Sequence, residues 1–352
     1  MEQKKVVTGV VGAGAISGIY LKNMTQRFDN LSVKSISSAH MESAEKKARE
    51  YGILAVPLEE MLEDPEIEMI VNLTPAHAHY SVIKGALEHG KHVYTEKTLT
   101  DDLRKSAELV RLAHDKGLYL GSAPDTFLGS ALQTARQAID RGLLGEIHSF
   151  AVSANRCNEI LLDMFSFLKQ PGGGIVCDYG VYYVTALVSL LGPVARVGGA
   201  VGYPYPDKTP NESQVNAVLQ FKNGVTGTFH IDSDSVMEDQ AYFGIFGTKG
   251  ILFLTDPNQF GGEVRFLPKG DGLKNRPEVQ VLKTVNPYND NSRGIGPWDM
   301  ADTILNGTPL RASGEMAYHV HEVLNAMLEG GTAGAFRDIS SVCQRPEPLV
   351  EG

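Results

Sequence analysis

The fold is decided by residues 6–18, which read VVTGVVGAGAISG. The apolar run Val6–Val11 predicts a buried strand, and a glycine-rich turn follows it directly. Gly12 permits a tight turn, Gly14 lets a pyrophosphate approach the backbone, and the third small position falls at Ser17. Between a strand and a helix this pattern predicts a dinucleotide site. A structural turn without a ligand is the alternative interpretation.

Strand-like and helix-like segments alternate along the first third of the chain, which predicts an α/β fold with a parallel, doubly wound sheet. The predicted strands are Val6–Val11, Leu31–Ser37, Ile67–Leu73, Lys91–Thr95 and Leu118–Gly121. The predicted helices are a segment ending near Arg27, then Glu42–Tyr51, Leu58–Leu62, His77–Glu88 and Leu103–Lys116.

The pattern changes after about Ala123, where β-rich segments predominate. We therefore predict a dinucleotide-binding domain at residues 1–122 and an α+β domain at residues 123–352, with a large, mostly antiparallel sheet. Its predicted strands are Ile147–Ala154, Val194–Val201, Val215–Phe221, Val225–Ile231, Ala241–Phe246, Ile251–Leu254 and Val264–Leu267. Helices are predicted near Ser130–Arg141, Gly174–Leu191, Pro297–Leu305 and Glu315–Leu328, with an irregular tail past Gly330.

Composition narrows the class of protein. The chain has 352 residues, with 42 acidic and 32 basic side chains and a net charge of −10, which disfavours nucleic acid and anionic membranes as partners. Its 3 cysteines are far apart, and no apolar stretch could span a bilayer, so we expect a cytoplasmic protein. The His77/His79 and His319/His321 pairs lack an identifiable carboxylate or cysteine partner, so no metal site is predicted.

The strand ends of the first domain supply the remaining candidate cofactor contacts. The second strand is followed by Ser38 and His40, with no acid for a ribose diol, so the choice between NAD and NADP stays open. Ordinary loop roles for both residues are an equal alternative. Thr74 and Pro75 end the next strand, and His79 follows, where a structural role is the alternative to a cofactor contact. The predicted contacts are Gly12, Gly14, Ala15, Ile16, Ser38, His40, Thr74, Pro75, His79, Glu96 and Lys97.

The pair Glu96-Lys97 gives the sharper chemical signal. A lysine at the carboxyl end of a strand, near a nicotinamide, can hydrogen-bond the reacting oxygen and lower the pKa of a nearby acid. Glu96 could orient Lys97 or hold the ribose. A solvated ion pair is the alternative, and the glycine turn upstream argues against it.

A second chemical signal lies in Gly172–Tyr183, where a run of glycines leads into a helix. Asp178 and Tyr182 are four residues apart and share a helical face. Asp178 could accept hydrogen bonds from hydroxyl groups, while Tyr182 could donate or accept a proton. A buried helix with packing tyrosines is the alternative.

These motifs, in this order, resemble the Gfo/Idh/MocA oxidoreductases, the glucose–fructose oxidoreductase and inositol dehydrogenase family. The resemblance covers the glycine turn, the segment Thr74–His79, Glu96-Lys97 and the helix that carries Asp178. It implies a Rossmann domain, NAD or NADP as cofactor, and a C-terminal sheet that forms a homo-oligomer, either a dimer or a tetramer. It also implies hydride transfer with sugars or cyclitols. The usual proline after Glu-Lys is Thr98 here.

The resemblance assigns catalytic roles to Lys97, Asp178 and Tyr182, with Tyr182 at a position where many members carry histidine and others tyrosine. Lys97, Asp178 and Tyr182 are also candidate substrate contacts, together with Asp125, Asn155, Arg156 and His230.

We therefore expect an enzyme that transfers a hydride reversibly between a nicotinamide and a secondary alcohol of a sugar, glycoside or cyclitol, with C3 of a glucoside as one specific version. Three alternatives stay open. They are a sugar–sugar oxidoreductase with a tightly bound cofactor, a glycosidase that uses transient oxidation, and a non-enzymatic dinucleotide sensor.

Overall fold

The chain divides into two compact units in a computed structural model that describes residues 4–170, 172–203, 209–233, 235, 241–271, 277–333 and 335–349. The first unit is Met1–Asp125 with Asn291–Tyr318, and the second is Thr126–Asp290 with His319–Gly352. The predicted boundary after residue 122 lies close to this division. The prediction that all of 123–352 forms one domain is corrected, because residues 291–318 pack with the first unit.

Strands and α-helices are numbered in chain order over the described residues. The strands are β1 (Val6–Val11), β2 (Leu31–Ser37), β3 (Leu54–Ala55), β4 (Met69–Asn72), β5 (His92–Thr95), β6 (Leu120–Ser122), β7 (Ile147–Asn155), β8 (Val194–Gly202), β9 (Gln214–Phe221), β10 (Thr226–Asp232), β11 (Tyr242–Gly247), β12 (Gly250–Leu254), β13 (Arg265–Pro268), β14 (Gln280–Val281) and β15 (Arg337–Asp338). The α-helices are α1 (Ser17–Gln26), α2 (Met41–Tyr51), α3 (Leu58–Glu63), α4 (Ala76–Glu88), α5 (Leu103–Asp115), α6 (Ser130–Asp140), α7 (Asn158–Met164), α8 (Val181–Leu191), α9 (Ile295–Asn306) and α10 (Gly314–Ala333).

The first unit contains a six-stranded parallel sheet in the order β3-β2-β1-β4-β5-β6, which confirms the predicted doubly wound fold. The order reverses between β1 and β4, and ligands of such sheets bind at the carboxyl ends of the strands beside this point. The residues of β4 are all buried, as expected for a central parallel strand. The short edge strand β3 was not predicted, because two residues carry no periodicity.

Local signals explain where the helices of this unit begin and end. Gly52 takes the left-handed conformation, with φ of 68°, and closes α2 as predicted. The side chain of Asp102 accepts hydrogen bonds from the backbone N–H groups of Arg104 and Lys105 and caps α5. The amphipathic helices α4 and α5 bury apolar residues such as Ile83 and Leu109 against Ile70 and Val93 of the sheet.

Helix α9 belongs to the first unit because a buried carboxylate holds its start. Asp125 lies just past β6, is 1% exposed, and accepts hydrogen bonds from the backbone N–H groups of Gly294 and Gly296 at 3.2 and 3.1 Å. A carboxylate at a helix N-terminus satisfies donors that the helix itself leaves unpaired. Asn23 on α1 adds hydrogen bonds to the carbonyl oxygens of Asn291 and Arg293.

The second unit contains a nine-stranded sheet in the order β14-β13-β12-β11-β7-β10-β9-β8-β15, and it is antiparallel except for the pair β7–β10. This confirms the predicted mixed α/β class. Helix α8 is buried along its whole length. Its Tyr183 contacts the rings of Phe229 and Phe243, which lie on one face of the sheet.

Two features of this unit differ from the expectation. The predicted helix 174–191 begins with a π-helical turn, Val176–Gly180, before α8, and single π-turns occur frequently at functional sites. The tail past Gly330 is more regular than predicted, because α10 continues to Ala333 and β15 pairs with β8. Short 3-10 turns occur at Thr126–Leu128 and Ser166–Lys169. Among the helices of the described ranges, none combines the length and apolarity that crossing a membrane requires.

Asp125 makes the stability of the first unit depend on pH. Burial raises the pKa of its carboxyl group to about 6, from a usual value near 4. The raised pKa stabilises the folded protein below about pH 4, and this stabilisation is lost as the pH rises to 6. A pKa shift of this size corresponds to at most about 3 kcal/mol of unfolding free energy. In Asp125→Asn the amide oxygen can still accept both hydrogen bonds, but this pH dependence should vanish. Urea unfolding of both proteins between pH 4 and pH 7 measures the difference, and parallel curves would refute the assignment.

Candidate functional site

The glycine turn is forced by a close backbone approach. Gly12 has φ of 110°, and a Cβ atom there would lie 2.7 Å from the carbonyl carbon and oxygen of Leu73 at the end of β4. Its N–H donates to the carbonyl oxygen of Ser37 at 2.8 Å, and Leu73 donates to Val11 at 2.7 Å. The turn therefore fixes the carboxyl ends of β1, β2 and β4 beside one another, and only glycine fits.

At Gly14, unlike Gly12, nothing in the described part of the fold requires glycine, because a Cβ atom there would meet no other atom within 4 Å. Gly14 and Ala15 are exposed, Ile16 is half-buried, and α1 begins at the next residue. The hydroxyl group of Ser17 donates to the carbonyl oxygen of Gly14 at 2.7 Å, which fixes the turn. Open space in front of a helix N-terminus suits the pyrophosphate of a dinucleotide, so these residues fit the predicted cofactor.

The end of β2 places the residues predicted to contact the ribose beside this turn. Ser38 is half-buried and its hydroxyl oxygen accepts a hydrogen bond from the N–H of His40 at 3.3 Å. His40 is exposed and precedes α2. The strand end carries no acid, so a 2′-hydroxyl and a 2′-phosphate both remain compatible with it.

The corner after β4 is organised by Asn72. Its side-chain oxygen accepts hydrogen bonds from the N–H and the hydroxyl group of Thr74, and its amide donates to Thr95 on the neighbouring strand β5 at 3.0 Å. Pro75 is exposed and precedes α4. The hydroxyl oxygen of Thr74 is thus held in place at the sheet edge and can still accept a hydrogen bond.

The corner after β5 carries the predicted lysine and is tied to helix α1. Tyr20 donates its hydroxyl proton to one carboxylate oxygen of Glu96 at 2.8 Å, and the backbone N–H of Lys97 donates to the other at 3.1 Å. Glu96 therefore holds the Lys97 backbone, and its two predicted roles, the orientation of Lys97 and a contact with the ribose, stay predictions. Burial, followed by the nearby Glu96 charge, raises the pKa of Tyr20 well above its usual range, so Tyr20 stays a donor. Lys97 is half-buried, and the Lys97–Thr98 peptide bond is cis.

Two predicted contact residues of the first unit, His79 and Asp125, are buried and have their side chains directed at backbone groups of the same unit. Both ring nitrogens of the fully buried His79 lie 2.7 Å from backbone carbonyl oxygens. These contacts give the ring a structural role. The predicted substrate contact at Asp125 is corrected, because its carboxylate is directed at the start of α9 and is buried there.

In the second unit, Arg156 joins Asp178. A guanidinium nitrogen of Arg156 donates to the Asp178 carboxylate at 2.8 Å, and Nε donates to the side-chain oxygen of Asn158 at 2.8 Å. The guanidinium carbon also lies 5.3 Å from the ring centre of Tyr179. The side chains are 19% and 10% exposed, so the ion pair is mostly shielded from solvent. The pair offers donors and acceptors side by side, which suits the recognition of neighbouring hydroxyl groups.

The helix around Asp178 is held by two further carboxylates. Tyr179 donates to Asp256 at 2.8 Å, and burial raises the pKa of Tyr179. Glu212 accepts a hydrogen bond from the N–H of Val176 at 3.0 Å, and a Cβ atom at Gly174 would collide with its carboxylate. Glycine at position 174 therefore admits the carboxylate that holds the start of the π-turn. Tyr182, at the start of α8, is 8% exposed.

Asn155 and His230 lie on the other face of this sheet. Phe229 and Ile231 face the helix, since both approach Gly180, and side chains alternate along a strand. His230 therefore points away from Asp178 and Tyr182, and its ring contacts the side-chain oxygen of Asn216 at 2.8 Å. Asn155 is in register with Asp232 on the same face as His230. The predicted grouping of these two residues with Asp178 is corrected.

No sequence motif indicated four residues that the structure places around the candidate site, namely Tyr20, Asn72, Glu212 and Asp256. Each acts through a partner that is distant in sequence, apart from the turn that Asn72 forms with Thr74. Tyr20 and Glu96, for example, are 76 positions apart, and no spacing rule connects a helical tyrosine to the end of a strand. Within the described ranges, no group of three His, Cys, Asp or Glu side chains is placed to bind a metal ion.

Comparison with known proteins matches both parts of the chain to one family. Residues 6–123 match the family model described as an oxidoreductase family with an NAD-binding Rossmann fold. Residues 132–253 match the GFO/IDH/MocA C-terminal domain. Together the two matches cover more than half of the chain.

Several curated relatives are similar in sequence. An uncharacterized oxidoreductase of Schizosaccharomyces pombe, C26H5.09c, is 29% identical over 53% of this chain and 52% of its own length. Rabbit trans-1,2-dihydrobenzene-1,2-diol dehydrogenase is 28% identical over 70% of this chain and 75% of its own length. The Bacillus subtilis scyllo-inositol 2-dehydrogenase (NADP(+)) IolW is 24% identical over 53% and 52%. The chain thus spans about half the length of the first and third of these relatives.

The fold is also that of solved structures. Levoglucosan dehydrogenase in complex with NADH superposes with a TM-score of 0.85 at 20% identity, covering 96% of this chain and all of the other. An NAD binding oxidoreductase from Klebsiella pneumoniae gives a TM-score of 0.84 at 19% identity, covering 96% of this chain and 99% of the other. At these identities the likeness establishes the fold.

The two glycines of the turn should respond differently to alanine. Gly14→Ala should keep the unfolding temperature of the wild type, because its Cβ meets only open space, yet weaken dinucleotide binding about tenfold or more where the pyrophosphate would lie. Gly12→Ala should lower the unfolding temperature by several degrees, because the Cβ collides with Leu73 at positive φ. Thermal melts and NADH titrations measure both effects. Unchanged dinucleotide binding in Gly14→Ala would contradict the placement of the pyrophosphate.

Proposed function

The chain belongs to the Gfo/Idh/MocA family of NAD-binding oxidoreductases, and from this premise we propose that it transfers a hydride between a nicotinamide and a secondary hydroxyl or ketone of a sugar, glycoside or cyclitol. The observation that carries the proposal is the arrangement at the carboxyl edge of the parallel sheet. The Gly12 turn, the Asn72–Thr74 corner and the Glu96–Lys97 corner follow three adjacent strands there.

The substrate class is proposed from the chemistry that named relatives share. Two relatives are named for a trans-diol and for scyllo-inositol, which are ring compounds with neighbouring hydroxyl groups. The Arg156–Asp178 pair of this chain supports the same class, since it presents donors and an acceptor side by side. Oxidation at C3 of a glucoside is a specific version within this class.

The proposed mechanism assigns one task to each side chain. Tyr182 takes the hydroxyl proton of the substrate, and the ammonium group of Lys97 hydrogen-bonds the reacting oxygen. Asp178 accepts a hydrogen bond from a neighbouring hydroxyl group and is itself oriented by Arg156. A dinucleotide held at the Gly12–Gly14 turn would supply a hydride acceptor, C4 of its nicotinamide ring. Fixing two adjacent hydroxyl groups supplies orientation, which is a large part of the rate enhancement.

Turnover with a panel of polyols tests the proposal. Purified protein is mixed with NAD⁺ or NADP⁺ and free sugars, inositols or glucosides, and nicotinamide reduction is followed at 340 nm. We expect reduction with at least one polyol. Lys97→Met and Tyr182→Phe should each lower kcat by about a hundredfold or more while NADH still binds. The exposed Lys22→Met is the matched control and should turn over like the wild type.

The result also separates the alternatives. If no compound of the panel causes nicotinamide reduction and the purified protein retains a nicotinamide cofactor, a sugar–sugar oxidoreductase would replace the proposal. Hydrolysis of a glycoside without net reduction would replace it with a redox glycosidase. Dinucleotide binding without any turnover would replace it with a sensor.

We also propose that the protein is a cytoplasmic homo-oligomer that associates through the face of the large sheet opposite α8. On β9 this face carries an exposed row that includes Val218, which is 39% exposed, and Tyr242 on β11 is 43% exposed. Exposed apolar side chains on an open sheet suit association with a second copy. Cys157, Cys177 and Cys343 are not joined by disulfide bonds, which suits a reducing compartment.

Light scattering tests the oligomer. The wild type should elute as a dimer or tetramer, and Val218→Asp should weaken association about tenfold or more, because a charge would be buried at the interface. The control Lys222→Asp introduces the same side chain at an exposed turn beyond the end of β9 and should leave the mass of the oligomer unchanged. A wild-type monomer at micromolar concentration would refute the proposal.

A further inference from the structure

His79 connects the two corners of the sheet edge that carry the proposed cofactor contacts. One ring nitrogen, Nε2, lies 2.7 Å from the carbonyl oxygen of Thr74, and Nδ1 lies 2.7 Å from that of Thr98. The ring is fully buried on α4. Thr74 follows β4, and Thr98 follows directly after Lys97, so one side chain spans the ends of two neighbouring strands.

The other end of β5 has a comparable arrangement. Lys91, which precedes β5, is 7% exposed and donates from Nζ to the carbonyl oxygens of Asp64 at 2.7 Å and Ile67 at 2.8 Å. Burial lowers the pKa of Lys91, and the Asp64 charge opposes this effect. Two buried polar side chains thus each contact a pair of carbonyl oxygens, one at the carboxyl edge of the sheet and the other at its amino edge.

We propose that His79 is a positioning residue that fixes the Lys97 corner against the Thr74 corner, whereas Lys91 serves the stability of the same sheet alone. This inference rests on the proposed function. A shift of either corner by about 1 Å would misplace groups that must meet one nicotinamide ring, and a displacement of that size costs about a hundredfold in rate. Ligands bind at the carboxyl edge of a parallel sheet, so the clamp at the amino edge has no such effect.

The chemistry of the ring limits what can replace it. A neutral imidazole donates through one nitrogen, and only the protonated ring donates through both. Burial lowers the pKa of His79, while the two carbonyl groups and the charge of Glu96 oppose this effect. Glutamine carries one amide that can donate, so it can keep part of the clamp, whereas phenylalanine fills a similar volume and keeps none of it.

Four variants test the proposal in the full-length protein. His79→Phe and His79→Gln remove all or part of the clamp. Lys91→Met removes the comparable clamp at the amino edge. His77→Asn changes an exposed histidine two positions away on α4. For each variant we would measure the unfolding temperature, NADH and NADPH affinity by fluorescence titration, and kcat with the polyol that the wild type oxidises.

His79→Phe should weaken dinucleotide binding at least about tenfold and lower kcat by about a further ten- to hundredfold, with His79→Gln between it and the wild type. Lys91→Met should lower the unfolding temperature as much as His79→Phe and leave affinity and kcat within about twofold of the wild type. His77→Asn should match the wild type throughout.

The inference is overturned if the His79 variants bind and turn over like Lys91→Met at equal loss of unfolding temperature. If His79→Phe does not fold, the same comparison is made with His79→Gln. A wild type that binds neither dinucleotide would instead refute the proposed function. The two failures are therefore distinguishable.

Discussion

The contact between Gly12 and the Leu73–Thr74 peptide is the constraint on which the rest of the first unit depends. A side chain at position 12 would lie 2.7 Å from backbone atoms, so the turn closes only with glycine. This closeness brings the start of α1 to the carboxyl edge of the sheet. From α1, Tyr20 reaches the carboxylate of Glu96, which in turn holds the backbone of Lys97. One steric condition thus places the start of α1 and Lys97 at the same edge of the sheet.

In the second unit, charged side chains hold the candidate residues in place, whereas in the first unit a close approach of two backbone segments does so. Asp178 has its carboxylate in a mostly buried ion pair with Arg156, and removing one partner of such a pair leaves an uncompensated charge. The preceding turn is held by Glu212, whose carboxylate fits only because residue 174 is glycine. The glycine run before this helix therefore serves packing around a carboxylate. The glycine run contributes to the proposed chemistry only indirectly, because it fixes the position of the turn that carries Asp178.

Most of the fold was predictable because buried parallel strands are continuous apolar runs with glycine and proline at their ends, and β1 and β2 have the predicted bounds. The geometry around the candidate site was predictable only where a motif is local, as in the glycine turn. Tyr20 with Glu96, and Asp125 with the start of α9, join residues that no local pattern connects. The grouping of His230 with Asp178 failed for a reason visible in the sequence: His230 lies between two apolar strand residues, and alternation directs it to the opposite face.

The central claim is that the carboxyl edge of the parallel sheet binds a nicotinamide dinucleotide and that a hydride is exchanged there. Transfer of an isotopic label tests it most directly. A polyol deuterated at the reacting carbon, incubated with the protein and oxidised dinucleotide, should yield reduced dinucleotide that carries one deuterium at C4. Mass spectrometry and NMR detect this label. Oxidised polyol accompanied by unlabelled reduced dinucleotide, with the deuterium released to water, would contradict direct hydride transfer and the account built on it.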